Sequence, residues 1–204
     1  PTAATPKCCA PFIDRRNLKS DSLRGSPISE KTPVPALRAA GMDLPISIDT
    51  RKAAVAEAAV AMGTNLVNDV SGFTFDPGLA PFCQKHQLPV CVMHAQGKPE
   101  TMHLNPQYDN VLLDVFDALE RQIAALEAVG VPRGAILADP GIGFGKTMAH
   151  NLALLARLSL FHGLGVPLLL GASRKKFICT IGMAENAKDR APGSIAVGLA
   201  ALGR

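Results

Sequence analysis

The sequence lacks tryptophan and has a single tyrosine, so aromatic residues make up only 4% of its 204 residues. Proteins that bind single-stranded nucleic acid stack bases on aromatic rings, and this composition argues against that class. Long apolar runs are also missing, since residues 166–170 and 195–202 fall well short of the roughly 20 that a membrane span needs. Neither sign of charge predominates strongly, since 21 Lys and Arg against 17 Asp and Glu give a net charge of only +4. We therefore expect neither nucleic acid nor a membrane as a partner.

Cysteines are few, and their spacing suggests no pairing. The five are Cys8, Cys9, Cys83, Cys91 and Cys179, with no C-x-x-C pair among them. An odd number without metal-ligand spacing argues against a secreted disulfide framework and against a structural zinc site. We predict small, buried, apolar side chains in a protein of the reducing cytoplasm.

The two ends of the chain differ from its middle. The sequence begins at Pro1 without a methionine and stops at Arg204 directly after a helical pattern, so we predict a fragment of a longer protein. Residues 1–44 show little periodicity and are predicted to be an atypical, poorly ordered N-terminal segment with a short helix over 35–40. Residues 45–204 are predicted to form the folded domain.

From residue 45 onward, a short apolar strand, a polar loop and a helix follow one another five times. The predicted strands cover residues 45–50, 65–70, 88–93, 135–138 and 167–170, and the predicted helices cover 51–62, 76–86, 110–129, 150–161 and 193–202. Strands this rich in Ile, Leu and Val are typical of a parallel sheet buried on both faces. The pattern fits part of a (β/α)8 barrel and an open doubly wound sheet equally well.

Polar side chains end three of the predicted strands: Asp49, Asn68 and Asp139. The carboxyl ends of parallel strands meet at one edge of a sheet, so these side chains are expected to lie close together. Two carboxylates and a carboxamide match a ligand with adjacent N–H donors and an acceptor, such as an aminopyrimidinone ring. Each residue would also suit a helix cap, but three at equivalent places favour a binding site.

Two loops carry further candidate site residues. The string Asp139-Pro-Gly-Ile-Gly-Phe-Gly-Lys-Thr resembles a phosphate-binding loop, but Pro140 stands where that motif needs its first glycine. Its alternating glycines indicate left-handed turns or a backbone that passes close to a ligand. Ser173-Arg174-Lys175-Lys176 follows the fifth predicted strand and should begin a helix, where cations and free N–H groups would bind an anion. Solvated loop charges are the alternative for this cluster.

His94 also follows a predicted strand. No Ser-His-Asp pattern or H-E-x-x-H motif accompanies it, so we predict a packed or hydrogen-bonded histidine.

Five strings together resemble one enzyme family. They are Ser-Ile-Asp49-Thr, Val-Asn68-Asp-Val-Ser-Gly, Val-Met93-His94-Ala-Gln-Gly-Lys-Pro-Glu-Thr-Met, Asp139-Pro-Gly-Ile-Gly-Phe-Gly-Lys and Gly171-Ala-Ser-Arg-Lys175. In their order and intervals they resemble dihydropteroate synthase, from about residue 45 to the end of the chain. The resemblance implies an α/β fold, a (β/α)8 TIM barrel of the pterin-binding type. Its strands 1, 2 and 8 are not recognisable in this sequence.

The resemblance also implies an activity. The family is a transferase of folate biosynthesis that condenses 6-hydroxymethyl-7,8-dihydropterin pyrophosphate with p-aminobenzoate, which gives 7,8-dihydropteroate and pyrophosphate. Sulfonamides mimic p-aminobenzoate in this family. Magnesium is implied as well, but its asparagine ligand on the family's opening strand has no counterpart in residues 1–43. We therefore assign no metal ligand in this chain.

Residue roles carry over by position in the matching motifs. The implied pterin-binding residues are Asp49, Asn68, Met93, Asp139, Phe144, Gly171 and Lys175. Lys175, Asp139 and Asp49 are also the implied catalytic residues. The region of p-aminobenzoate would include Ser173, Arg174 and Lys176, and the last stands where the family often has serine.

Other functions remain open on the sequence alone. A corrinoid-dependent, pterin-binding methyltransferase domain shares the barrel and the pocket, but it would not need the Ser173-Arg174-Lys175 string. A catalytically inactive pterin-binding fragment is a third hypothesis, and a P-loop nucleotidase is disfavoured by Pro140. The family usually dimerises through late helices, so a homodimer is expected.

Overall fold

The structure is a computed structural model that describes residues 34–97, 102 and 104–203. Its strands are β1 Ser47–Asp49, β2 Leu66–Asp69, β3 Val90–Met93 and β4 Ile136–Asp139. Its helices are α1 Val34–Ala39, α2 Ala53–Ala61, α3 Leu79–Lys85, α4 Val111–Val129, α5 Met148–Ala156, α6 Lys176–Gly182 and α7 Ala191–Leu202. Short 3-10 turns cover Arg133–Ala135, Leu158–Leu164 and Ala187–Arg190. Cys8 and Cys9 lie outside the described residues.

The sheet is parallel, and its strand order follows the chain order β1-β2-β3-β4. A doubly wound sheet reverses its order at a switch point, whereas a (β/α)8 barrel adds each strand beside the previous one. The observed order therefore favours the barrel over the open sheet, which periodicity alone could not do. The predicted α/β fold of the barrel type is confirmed.

The fifth predicted strand is reduced to a single bridge. Leu168 pairs in parallel with Ala138, and the Ala138 N–H donates to the Pro167 carbonyl at 3.0 Å. The Leu169 N–H in turn donates to the Ala138 carbonyl at 2.9 Å. Because Pro167 has no N–H to donate, the first rung of a longer ladder cannot form.

One face of the sheet packs against the helices. Its buried residues include Val67, Val90, Val92, Ile136 and Ala138, which alternate along their strands with the residues of the opposite face. Helix α4 covers this layer with Val115, Leu119, Ile123 and Leu126, all buried. Burial of one such side chain contributes roughly 1.5–3 kcal/mol, so the helix layer fixes the sheet and leaves its other face for a site.

Capping chemistry explains why α5 differs from the prediction. The sequence predicts a helix over residues 150–161, but α5 begins at Met148, after Thr147. The Thr147 hydroxyl accepts from the His150 N–H, and the His150 ring accepts from the Thr147 N–H. Glutamate or glutamine usually takes the second role, so this helix start carries no ordinary sequence signal. The rest of the predicted helix is the 3-10 turn Leu158–Leu164.

Helix α1 lies within the segment predicted to be atypical, and Arg38 ties it to the sheet. The Arg38 guanidinium donates to the Gly63 carbonyl at 2.7 Å and to Asn65 Oδ1 at 2.6 Å. The short helix predicted over residues 35–40 is therefore present, one residue earlier. The domain boundary at residue 44 stays a prediction.

The described part of the chain contains no helix that is both long and apolar enough to cross a membrane. Cys83 and Cys91 are buried as predicted, whereas the prediction is wrong for Cys179, which is partly exposed.

Candidate active site

The register of the sheet brings four of the predicted pterin residues to one face. Asp49 is paired with Asn68 on the neighbouring strand, and Met93 is paired with Asp139. Asn68 is also paired with Cys91, which stands two residues before Met93 on β3. Paired residues point to the same side of a sheet, as do residues two apart on one strand. All four side chains therefore share the face opposite the helix layer, at the carboxyl end of the strands.

Asn68 has an unusual environment within this face. Its side chain is only 4% exposed, and its Oδ1 atom has no hydrogen-bond partner among the described residues. A buried acceptor without a donor costs about 1–3 kcal/mol. Such groups in folded proteins call for an explanation, and a missing ligand or water is the ordinary one. The oxygen is thus available to a donor on a bound molecule.

Asp139 is the buried carboxylate of the site. Its Oδ1 accepts from the Gly141 N–H at 2.7 Å, and its Oδ2 lies beside Gly171. Burial raises the pKa of Asp139 to about 6, while Gly141, Lys175 and Lys146 act in the opposite direction. The Asp49 charge also raises this pKa. Asp139 is therefore mainly ionised at pH 7 and can accept hydrogen bonds from a ligand.

The glycine string packs tightly against the loop after β3. Gly141 has φ +70°, and a methyl group on it would collide with the His94 carbonyl oxygen. Gly145 has φ +61°, and a methyl group there would collide with the Gln96 carbonyl oxygen. The predicted left-handed turns are confirmed, and both close contacts are with a neighbouring loop. An approach of this backbone to a ligand stays a prediction.

Lys146 is a site residue that the sequence motifs did not predict. It is 7% exposed, and its Nζ lies 2.9 Å from His94 Nδ1, 3.0 Å from the Gly141 carbonyl and 3.1 Å from the Phe144 carbonyl. Burial lowers its pKa to about 7, an effect that Asp139 opposes and Lys175 reinforces. Lys146 thus connects the loop after β3 to the loop after β4 through hydrogen bonds. The sequence indicates this role of Lys146 only through its position directly after Gly145, in the string that resembles a phosphate-binding loop.

His94 is packed and hydrogen-bonded, as predicted. Protonated lysine only donates, so when Lys146 carries its proton, His94 Nδ1 accepts from it and the ring proton lies on Nε2. Burial lowers the pKa of His94 to about 3, and the Lys146 charge acts in the same direction. The ring therefore stays neutral near pH 7.

Lys175 and Phe144 meet at the edge of the site. The Lys175 Nζ lies 4.1 Å from the centroid of the Phe144 ring, a cation–π contact. The missing side chain of Gly143 makes room for the Lys175 stem. Since the Lys175 charge also acts on Asp139, the carboxylate, lysine and ring form one cluster.

The remaining candidates lie on the loop before α6. Ser173, Arg174 and Lys176 are solvent-facing, and α6 begins at Lys176 as the sequence predicted. The structure therefore separates a largely buried polar sheet face from a solvent-facing basic loop, with Lys175 between them.

A family model and several known relatives match this chain. The sequence model of the family described as "Pterin binding enzyme" matches residues 29–204. Among similar proteins, the dihydropteroate synthase of Escherichia coli (strain K12) is 40% identical over 151 residues, which cover 74% of this chain and 53% of that protein. The dihydropteroate synthase of Synechocystis sp. is 38% identical over 184 residues, or 90% of this chain and 62% of that protein. The chain thus spans little more than half the length of these relatives.

Solved structures give the same result. The Yersinia pestis dihydropteroate synthase in a sulfonamide drug complex has a TM-score of 0.78 at 38% identity, over 83% of this chain and 61% of that one. The Thermus thermophilus dihydropteroate synthase with 4-aminobenzoate has a TM-score of 0.77 at 39% identity, over 83% of this chain and 64% of that one. A further structure of the Thermus enzyme holds 6HMPPP, and the match has the same TM-score and identity.

Proposed function

The chain belongs to the family of pterin-binding enzymes, and from this premise we propose that it carries the pterin site of a dihydropteroate synthase. The proposed reaction condenses 6-hydroxymethyl-7,8-dihydropterin pyrophosphate with p-aminobenzoate to give 7,8-dihydropteroate and pyrophosphate. The observation that carries the proposal is the buried, unpartnered Asn68 Oδ1, which shares a sheet face with two carboxylates.

The polar groups of this face suit the edge of a pterin ring. An aminopyrimidinone presents two adjacent N–H donors, which a carboxylate such as that of Asp139 accepts side by side. The carboxamide of Asn68 offers both an acceptor and donors for the remaining ring positions. In the proposal Asp49 adds a second carboxylate, while Met93 and Gly171 line the pocket without competing for hydrogen bonds.

Lys175 and Phe144 form the boundary between the two substrates in the proposal. Lys175 donates to the pterin ring, and its contact with the Phe144 ring fixes where its ammonium lies. The solvent-facing Ser173, Arg174 and Lys176 then face p-aminobenzoate, whose carboxylate suits a basic loop. A sulfonamide would occupy the same place.

The carboxylates also have a role in the chemistry. When the bond between the pterin methylene carbon and the pyrophosphate oxygen breaks, its electron pair leaves with pyrophosphate and positive charge develops on the pterin. Asp49 and Asp139 stabilise that charge electrostatically. The p-aminobenzoate nitrogen then forms the new C–N bond with its lone pair and releases a proton to water. An aryl amine is already nucleophilic, so no general base is assigned.

Magnesium stays a prediction from the resemblance. Within residues 34–97, 102 and 104–203, no three His, Cys, Asp or Glu side chains gather into a group that could hold a metal ion. We therefore assign no residue to the metal, and none of the proposed steps involves it. A cytoplasmic location and a homodimer likewise stay predictions.

Calorimetric titration with a non-hydrolysable 7,8-dihydropterin pyrophosphate analogue tests the proposal. We expect binding to the wild-type chain and at least ~10-fold weaker binding to Asp139→Asn, because a hydrogen bond to a charged acceptor is worth about 1.5–3 kcal/mol. Asp117→Asn, an equal charge change on the exposed face of α4, is the control and should bind like wild type. Absence of binding by a folded wild-type sample would overturn the proposal.

A second candidate, which the sequence analysis left open, is pterin binding without turnover. Binding in the titration combined with no formation of dihydropteroate would identify it. The corrinoid-dependent methyltransferase would be recognised by methyl transfer from a methylated folate.

A further inference from the structure

Arg174 holds a backbone conformation that L-residues rarely adopt. Its φ is +54°, in the left-handed region, although it has a side chain. This conformation costs roughly 1–2 kcal/mol for a residue other than glycine. Such strain persists when the surrounding structure holds it, and it is often found where a fold orients functional groups. Arg174 lies directly before Lys175, the lysine that enters the pterin site.

Two side chains at the start of α7 form hydrogen bonds with the backbone N–H and the backbone carbonyl of Arg174. The Arg174 N–H donates to Ser194 Oγ at 2.9 Å, and Arg190 Nη1 donates to the Arg174 carbonyl at 3.2 Å. The Ser194 hydroxyl in turn donates to the Arg190 carbonyl at 2.8 Å. The strained backbone of Arg174 is therefore held at its N–H by a residue 20 positions away and at its carbonyl by a residue 16 positions away.

Arg190 is itself fixed, which lets it act as an anchor. Its Nε donates to the Ala184 carbonyl at 3.0 Å, and its Nη2 donates to the Glu185 carbonyl at 2.5 Å. One guanidinium thus joins the end of α6 to the loop before it. The guanidinium is therefore anchored at two carbonyls besides that of Arg174, the group that it positions.

We propose that Arg190 and Ser194 are positioning residues, which hold Arg174 in its left-handed conformation so that Lys175 points at the Phe144 ring and Ser173 and Arg174 face the second substrate. Neither residue reaches the pocket; each acts through the backbone of Arg174. A return of Arg174 to negative φ would redirect the chain on both sides of it. The catalytic part of this inference rests on the proposed function, and it assigns α7 a role in the aryl-amine half of the reaction.

Substitutions of Ser194 separate this role from simple helix capping. Ser194→Ala leaves the Arg174 N–H without its acceptor, whereas Ser194→Thr keeps a hydroxyl and should restore wild-type behaviour. Arg174→Gly removes the conformational strain, so the loop depends less on the hydrogen bond to Ser194 to keep its left-handed conformation. The effect of Ser194→Ala should therefore be smaller in the Arg174→Gly background, as a double-mutant cycle would measure.

The experiment uses the full chain and two readouts. Hydrogen exchange at residues 172–176 should be ~10-fold faster in Ser194→Ala, since about 1.4 kcal/mol of protection is lost with the hydrogen bond. In steady-state kinetics, the KM for p-aminobenzoate should rise ~10-fold, with a smaller change in the KM for the pterin substrate. Thr180→Ala, which removes a hydroxyl from α6 that contacts the Lys176 carbonyl, is the control and should change neither readout.

The outcomes distinguish this inference from the proposed function. Equal exchange at residues 172–176 in wild type and Ser194→Ala overturns the inference, whatever the activity. Faster exchange with both KM values unchanged also overturns it, because the residues would then serve folding alone. A wild-type chain without turnover contradicts the proposed reaction instead, and the positioning role is then decided by the exchange measurement.

Discussion

At the scale of single residues, the site depends on one buried cation as much as on its carboxylates. Lys146 contacts four backbone or ring acceptors from two loops. Two belong to His94 after β3, and two are the carbonyls of Gly141 and Phe144 in the loop that follows Asp139. Without that amino group, the Gly141 and Phe144 carbonyls would lose a shared donor in a buried place. Lys146 therefore links the stability of the loops to pH.

We predict that stability rises with pH between about 7 and 9 because of Lys146. Its pKa is lowered from 10.5 to about 7 in the folded chain, so in this range the unfolded chain binds one more proton than the folded chain. Stability increases with pH wherever the unfolded state binds more protons, by up to ~1.4 kcal/mol per pH unit for one group. Urea unfolding at pH 7, 8 and 9 measures this slope, and Lys146→Met should remove it. An equal slope in both proteins would mean that Lys146 keeps its proton when folded.

The residues of the pocket differ in how far the sequence could predict them. Asp49, Asn68 and Asp139 lie at or next to the carboxyl ends of strands, and parallel strands bring those ends together, so the sequence sufficed to group them. Lys146, Arg190 and Ser194 bind carbonyl and N–H groups of loops that are distant in the sequence. Almost every residue has a backbone N–H and a carbonyl, and the positions of these groups depend on backbone conformation. No pattern of side chains in the sequence therefore predicts these contacts.

At the scale of elements, the loop after β4 fits its neighbour because its glycines lack side chains. We predict that Gly141→Ala loosens this loop and weakens binding of the pterin analogue. The left-handed backbone alone costs about 1–2 kcal/mol with a side chain, and the methyl group would also collide with the His94 carbonyl. Thermal unfolding and calorimetry measure the two effects.

Gly134 supplies the matched control for that substitution. A methyl group there would meet no heavy atom of the described residues within 4 Å, and its φ is not positive. Gly134→Ala should therefore unfold and bind like wild type. Equal behaviour of the two variants would show that the close approach at Gly141 is not needed.

The order of the elements was predictable, and their limits were less so. Apolar strands followed by polar residues and helical spacing are local signals, and four of the five predicted strands formed the sheet. The fifth shortened to one bridge beside Pro167, and α5 began at a capping pair of Thr147 and His150. The first difference comes from the missing N–H of Pro167, and the second comes from the hydrogen bonds between Thr147 and His150. Hydrophobic periodicity measures neither.

At the scale of the whole molecule, α7 leaves an apolar face uncovered. None of its residues is buried in the described structure, and Ile195, Leu199 and Leu202 follow one another at helical spacing on the exposed surface. Beside them lies a groove of about 590 Å³, lined in part by Leu158, Leu168 and Leu170. Contiguous apolar surface of this kind favours association, and a net charge of +4 opposes it only weakly.

We predict that the chain self-associates through this face and that Leu199→Lys weakens the association. Leu199 is 65% exposed, so lysine there places a charge on the face without removing a buried side chain. Sedimentation velocity over a range of concentrations should give a larger average mass for wild type than for Leu199→Lys. Leu104→Lys, at a leucine that is 80% exposed outside the groove, adds the same charge and should associate like wild type. If wild type stays monomeric at every concentration, or if both variants lower the mass equally, the α7 face is not the surface of association.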